Sequence, residues 1–339
     1  MNARSFIFPL VFLLFFSIPV FAQSTDKIKA IVVFGDSLSD NGNYSRDAGK
    51  DGHPFPPPPY DPNHASNGIV WPEYLAQTFL KIALDDEAYI GAMTTEKNKY
   101  YPYAIPLNLQ VDNYIKKQNG NPLEGDHTLY VVWAGANNIF GFDPTKPDES
   151  GPYTFSGDVF LAISELHKNG AKYFLVPGLP NFARIPLVNE FEPAKPLKIF
   201  YSMLSQNYNY ETKAFIDVLN KQSSKTDMYI LWSDVDALIN DIQVNKSKNY
   251  GFVDTTTACY KGLPIPPSKT PACKEPNGNL FWDFVHPTTK GHCFLAYNLQ
   301  NDLANAGWVS KPSAEEFNYC VGLGLPENAL TDLHVKTSA

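Results

Sequence analysis

Apolar and polar positions along the chain follow two periods in turn. KIKAIVVFG (27–35) is a compact run rich in β-branched residues and closed by Gly35, the form of a buried strand feeding a turn. TLYVVWAG (128–135), AKYFLVPG (171–178) and DMYILWSD (227–234) read the same way. Between and after them the spacing turns helical. IVWPEYLAQTFL (69–80) has Asn67 as its expected cap and Pro72 in its first turn. FSGDVFLAISELHKNG (155–170) is stopped by Gly170, and the segment 196–222 is long and helical. VDALINDIQVN (235–245) is a short helix, and GHCFLAYNLQNDLANAG (291–307) ends at Gly307. Strands alternating with helices predict a parallel sheet covered on both faces. With no internal repeat and no low-complexity linker, residues 23–339 are expected to form one α/β domain. Two stretches break the pattern. HPFPPPPYDPNHASNG (53–68) is too rich in proline for helix or sheet and is expected to be a stiff loop. Residues 250–280 hold many Pro, Gly and Lys and two cysteines, and are expected to be a stapled loop.

The N-terminus reads as an export signal rather than a membrane anchor. Arg4 supplies a positive start, and the apolar run from Phe6 to Phe21 is interrupted by Pro9, Ser17 and Pro19. Val20 and Ala22 are small residues at the two positions a signal peptidase inspects, so cleavage is expected after Ala22. A spanning helix needs a longer unbroken stretch, and nothing later in the chain supplies one. Residues 1–22 are therefore expected to be a signal peptide, and the protein secreted, periplasmic or extracellular. Four cysteines suit such an oxidising destination. Cys259, Cys273, Cys293 and Cys320 allow three pairings, of which the nearest-neighbour one is the expectation. Its first bridge would close a loop of about 15 residues, worth about 3 kcal/mol by chain entropy. No close CxxC pair is present, so a zinc site is not expected. The formal charge is −8, with no block of Lys or Arg to neutralise phosphates, which argues against a nucleic-acid partner.

The candidate chemistry is split between the two ends of the chain. Ser37 follows the first strand at the sheet's carboxyl edge, where ligands bind in parallel sheets. A serine hydroxyl needs a base to take its proton and a third group to orient that base. WDFVHPTTKGH (282–292) offers both, with Asp283 three residues before His286. The developing oxyanion needs donors. Expected donors are the backbone N–H of Ser37, the backbone N–H of Gly68 and the side-chain amide of Asn137.

These pieces resemble the GDSL family, also called SGNH hydrolases, over nearly the whole chain after residue 22. FGDSLSDNGN (34–43) is similar to the family's first block, with Ser37 at the nucleophile. SNGIVWPEYLA (66–76) is similar to the second, placing its glycine at Gly68, and GANN (135–138) to the third, placing the oxyanion asparagine at Asn137. DFVH (283–286) matches the DxxH block. The four occur in family order. One departure stands out: the third block usually ends in Asp, and Asn138 occupies that position, a change expected to alter local hydrogen bonding and leave the mechanism intact. The serine context is not GxSxG, so the nucleophile elbow of α/β-hydrolases is not expected. The resemblance implies a flavodoxin-like α/β/α sandwich with about five parallel strands and a mechanism without cofactor or metal. The branch it resembles most holds bacterial secreted lysophospholipases, phospholipases A and glycerophospholipid:cholesterol acyltransferases. It implies a lysophospholipid or phospholipid substrate, peripheral contact with a membrane or micelle surface, and water or a sterol hydroxyl such as cholesterol as acyl acceptor. Rival readings are an acetyl esterase acting on polysaccharide and a non-enzymatic surface-binding protein.

Plainer roles weigh against several of these residues. Taken alone, Ser37 would be a turn residue and Asp283 with His286 a surface ion pair. Asp36 is expected to be a structural acceptor, and His292 to lie inside the last helix. His53, His64, His127 and His167 are expected at the surface, and Tyr201, Tyr208 and Tyr210 in the core.

Overall fold

The structure is a computed structural model and describes residues 26–142 and 155–324. The expected signal peptide lies outside the described residues.

The apolar run at 27–35 becomes β1 (Ala30–Gly35), buried from Ile31 onward. A strand buried on both faces belongs inside a parallel sheet, and β1 is flanked by β2 (Ala83–Asp86) and β3 (Thr128–Trp133). Beyond β3 lie β4 (Tyr173–Pro177) and β5 (Tyr229–Ser233), giving a sheet of order β2-β1-β3-β4-β5 with every pairing parallel. Ala30 pairs with Thr128 and Ala83, and Tyr173 with Leu129 and Tyr229. This is the flavodoxin-like order, whose direction reverses between β1 and β3.

The connections between parallel strands distribute the helices over the two faces. In chain order the helices are α1 (Asn43–Lys50), α2 (Trp71–Glu73, running on as a wide π-type helix through Tyr74–Leu80), α3 (Leu107–Lys117), α4 (Ala136–Gly141), α5 (Phe155–Lys168), α6 (Leu187–Glu190), α7 (Lys198–Asn220), α8 (Ser223–Thr226), α9 (Val235–Asn249), α10 (Thr289–Asn305) and α11 (Ala314–Gly322). Helices α3, α5 and α7 pack side by side on one face, and α2 and α10 pack together on the other. The core between the layers is built on Ile31, Val33, Leu129, Val131, Phe174 and Leu175, all fully buried.

Four expectations are corrected. Asn67 does not cap α2; its first turn begins after Val70, whose N–H is held by Glu73 Oε2 at 2.9 Å. Asn67 reaches across the fold instead, accepting from Thr289 N at 2.8 Å and donating to Asn277 Oδ1 at 3.0 Å. Residues 250–280 are not all loop, because β6 (Asp254–Ala258) pairs in parallel with β7 (Asn279–Phe281) at their ends. His64 is buried, clamped between Asp61 (2.6 Å) and Glu73 (3.0 Å). Tyr210 points outward from α7, while Tyr201 and Tyr208 are buried. The cysteines form the bridges Cys259–Cys273 and Cys293–Cys320, the second joining α10 to α11.

Candidate active site

Ser37 sits on a tight turn at the carboxyl end of β1. Gly35 is needed just before it, because a Cβ there would lie 2.4 Å from the Trp133 carbonyl oxygen of β3. Gln110 of α3 clips that glycine from the side, accepting from its N–H and donating to its carbonyl, both at 2.9 Å. The turn closes through the Asp36 carbonyl, which accepts from the N–H groups of Ser39 and Asp40 at 3.0 Å each. The Asp36 carboxylate accepts from Leu38 N at 3.1 Å. Burial pushes the Asp36 carboxyl up to about 6, with the Leu38 N–H and nearby His286 pulling the other way. Asp40 accepts from four backbone N–H groups, those of Gly42, Asn43, Tyr44 and Ile90. It thereby folds the SDNGN continuation back and straps the loop after β2 beside it; burial holds its carboxyl at about 6 as well.

The structure brings the far end of the chain to this serine. Ser37 Oγ lies 2.8 Å from His286 Nε2, and His286 Nδ1 lies 2.7 Å from Asp283 Oδ2. The other oxygen of Asp283 accepts from the N–H groups of Val285 and His286, both at 2.7 Å. Three-residue spacing thus lets one carboxylate fold its own loop and orient the ring. That loop stops just before Thr288, whose hydroxyl caps α10 by accepting from Gly291 N at 3.2 Å. Asp283 is fully buried and His286 nearly so. This is the arrangement that a serine needs to become a nucleophile.

The expected oxyanion donors divide. Asn137, in the first turn of α4 beyond β3, lines the same cavity as Ser37, and its amide is oriented by donating to the Ala92 carbonyl at 3.0 Å. Gly68 is corrected: it does not line the cavity but packs on Thr289, 3.0 Å from where its Cβ would be. Its segment acts as a brace, with Ser66 Oγ donating to the Pro287 carbonyl at 2.8 Å, directly after His286. Of the glycines that do line the cavity, Gly91 lies beside the segment that orients Asn137. The N–H groups of Glu87 and Tyr89 bond to Val33 and Gly35, extending the β2 pairing to the end of β1. Gly91 follows in the left-handed region, at φ +79°, next to the Ala92 that holds Asn137. Finding it from sequence required recognising β2, which ALDD does not advertise.

Asn138, the departure from the usual acid, is buried and does not line the cavity. Its side chain accepts from Thr94 N at 3.0 Å and donates to Thr94 Oγ1 at 3.1 Å; that hydroxyl in turn donates to Asp158. An amide suits this position because the Thr94 oxygen, already donating to a carboxylate, needs a donor of its own.

The cavity measures about 790 Å³ and extends from Ser37 between apolar walls that include Phe140, Phe182, Leu187, Leu197 and Leu295. Phe140 stacks on Phe182 with centroids 4.7 Å apart. Tyr201 contributes to this wall besides packing in the core, and Leu263 and Ile265 bring the disulfide-closed segment 259–273 to it. His292 lies inside α10, and burial depresses its ring to about 3. Among the described residues no cluster of His, Cys, Asp and Glu is arranged to hold a metal, and no helix is long and apolar enough to cross a membrane.

A parallel α/β sandwich with serine, histidine and aspartate joined at its topological switch point defines the class of α/β serine hydrolases. The chain belongs to the GDSL-like lipase/acylhydrolase family, whose model matches residues 31–299, and it is an enzyme of ester bonds. It is similar to the phosphatidylcholine-sterol acyltransferase of Aeromonas hydrophila, with 26% identity covering 81% of this chain and 90% of that one. A thermolabile hemolysin of Vibrio parahaemolyticus is 26% identical, covering 84% of this chain and 66% of the relative. Among solved structures, the acetylxylan esterase Axe2 of Geobacillus stearothermophilus aligns over 83% of this chain and 96% of its own, at 14% identity and TM-score 0.42.

Proposed function

We propose that the protein is a lipid acyl hydrolase, a lysophospholipase or phospholipase A, working through an acyl-serine. The observation that carries this reading is the junction of the Ser37–His286–Asp283 relay with a large apolar cavity. Ser37 Oγ attacks the ester carbonyl as His286 Nε2 takes its proton, and Asp283 holds the ring through Nδ1. The carbonyl oxygen becomes an oxyanion met by the N–H of Ser37, the N–H of Gly91 and the amide of Asn137. Collapse breaks the bond to the alcohol, which leaves with the proton from His286. A second alcohol or water then gives its proton to His286 as it attacks the acyl-serine, and His286 passes that proton to Ser37 Oγ as the acyl–oxygen bond breaks. The similarity to a phosphatidylcholine-sterol acyltransferase supports a sterol hydroxyl as an alternative acceptor to water. The apolar walls favour medium and long acyl chains over acetyl, because each buried methylene contributes about 0.8 kcal/mol. The two disulfides accord with action outside the reducing cytosol.

The test is product analysis on mixed phospholipid and lysophospholipid vesicles, with and without cholesterol, for wild type and Ser37→Ala. Free fatty acid from the wild type alone, rising with acyl length, is expected; cholesteryl ester would show transfer. Appreciable hydrolysis by a folded Ser37→Ala variant, or activity confined to acetyl esters, refutes the reading.

A further inference from the structure

The proline-rich loop at 53–68 carries a residue that enters the relay from outside the family blocks. Tyr60, 223 residues from Asp283 in sequence, donates its hydroxyl hydrogen to Asp283 Oδ2 at 2.6 Å. This is the same oxygen that faces His286 Nδ1. Four hydrogen-bonding groups therefore converge on one buried carboxylate, two on each oxygen. The Tyr60 ring is itself fixed. It packs edge-on against Tyr260 (5.5 Å, 87°) and Trp282 (5.8 Å, 83°), the residue next to Asp283. Its loop is anchored at the other end by His64 between Asp61 and Glu73 of α2. Burial and the neighbouring Asp283 carboxylate both push the phenol well above its ordinary value, so it serves as a hydrogen-bond donor throughout the working range.

We infer that Tyr60 is a positioning residue for ester cleavage, dividing the charge on Asp283 Oδ2 between itself and His286. This rests on the reading of Ser37, His286 and Asp283 as the catalytic relay. A donor on Oδ2 stabilises the carboxylate and weakens its pull on the His286 proton. Without it, Oδ2 has His286 alone. The imidazolium is then favoured, the carboxylate itself is easier to protonate, and both changes remove the free base at low pH. The other titratable groups facing the pair are Asp36 and His292 on the His286 side and Tyr101 and Tyr260 near Asp283 and Tyr60. A Tyr60→Phe change leaves all four in place.

The experiment measures kcat/KM for Tyr60→Phe and wild type on a soluble p-nitrophenyl acyl ester from pH 5 to 9. Fluorophosphonate labelling of Ser37 is followed over the same range. Losing one charge-assisted hydrogen bond predicts roughly a tenfold lower rate near pH 6. The acid limb moves to higher pH, and the loss shrinks toward pH 9. A uniform loss at every pH marks a merely structural tyrosine and overturns the inference, as does no loss at all. Because the effect is routed through the carboxylate, adding Tyr60→Phe to Asp283→Asn should cost little further. A further loss as large as in wild type also overturns it. A wild type that neither cleaves the ester nor labels at Ser37 would instead refute the relay itself, an outcome the same measurements tell apart.

Discussion

Two buried aspartates flank Ser37, and the structure predicts opposite outcomes for removing their charges. Asp36 has its carboxyl raised from 3.8 to about 6, chiefly by burial. Holding it ionised in the folded protein therefore costs about 3 kcal/mol, at about 1.4 kcal/mol per pH unit. Because the folded value lies above the unfolded one, the native state binds the extra proton between pH 4 and 6. The penalty is absent below pH 3.8 and complete above about 6. Asp36→Asn keeps an oxygen for the Leu38 N–H and removes the charge. Asp40 is raised to a similar value, but both its oxygens are in use, Oδ1 by Gly42 and Asn43 and Oδ2 by Tyr44 and Ile90. An asparagine there turns an NH₂ toward two N–H donors, at a cost of about 1–3 kcal/mol for each group left unpaired. Urea unfolding of wild type, Asp36→Asn and Asp40→Asn at pH 4 and pH 7.5 tests this. Asp36→Asn should match wild type at pH 4 and exceed it by up to about 3 kcal/mol at pH 7.5. Asp40→Asn should be weaker than wild type at pH 4. If the gap between Asp36→Asn and wild type does not change with pH, burial is not what raises that carboxyl and the reasoning fails.

Two further predictions concern the asparagine pair on α4. Asn137→Ala should lower kcat by about 10²–10³ with little change in unfolding midpoint, measured by ester turnover and thermal denaturation; a loss under fivefold would remove Asn137 from the oxyanion site. Asn138→Asp, the change toward the usual family residue, should destabilise the fold by about 1–3 kcal/mol by taking the donor from Thr94 Oγ1, with turnover per folded molecule within an order of magnitude of wild type. Unchanged stability would show that Thr94 finds another donor.

Sequence patterning works well where burial is symmetrical and poorly where it is not. Strands β1, β3 and β4 are enclosed on both faces, so each is a continuous apolar run that needs no context to recognise. The edge strand β2, ALDD, is short, half-exposed and acidic, which protects a sheet edge from foreign strands and also hides it from pattern reading. The same acidic edge hides Gly91, which reaches the cavity because the N–H groups of Glu87 and Tyr89 continue the pairing along β1. Asp283 and His286 were legible because three-residue spacing is a local constraint. Tyr60 was not, because nothing in a proline-rich loop announces which of its side chains will meet a carboxylate 223 residues away. His64 escaped for the same reason, its two acidic partners coming together only when the loop folds onto α2.

The sequence separation of 249 between Ser37 and its base also orders events in time. A ribosome delivers the serine early and the histidine late, and until residues 279–288 have docked on the completed sheet the hydroxyl has nothing to take its proton. An enzyme that opens ester bonds is therefore born as an inert polypeptide. It acquires its reactivity only when the last helices close, so that catalytic competence and completed folding are one event.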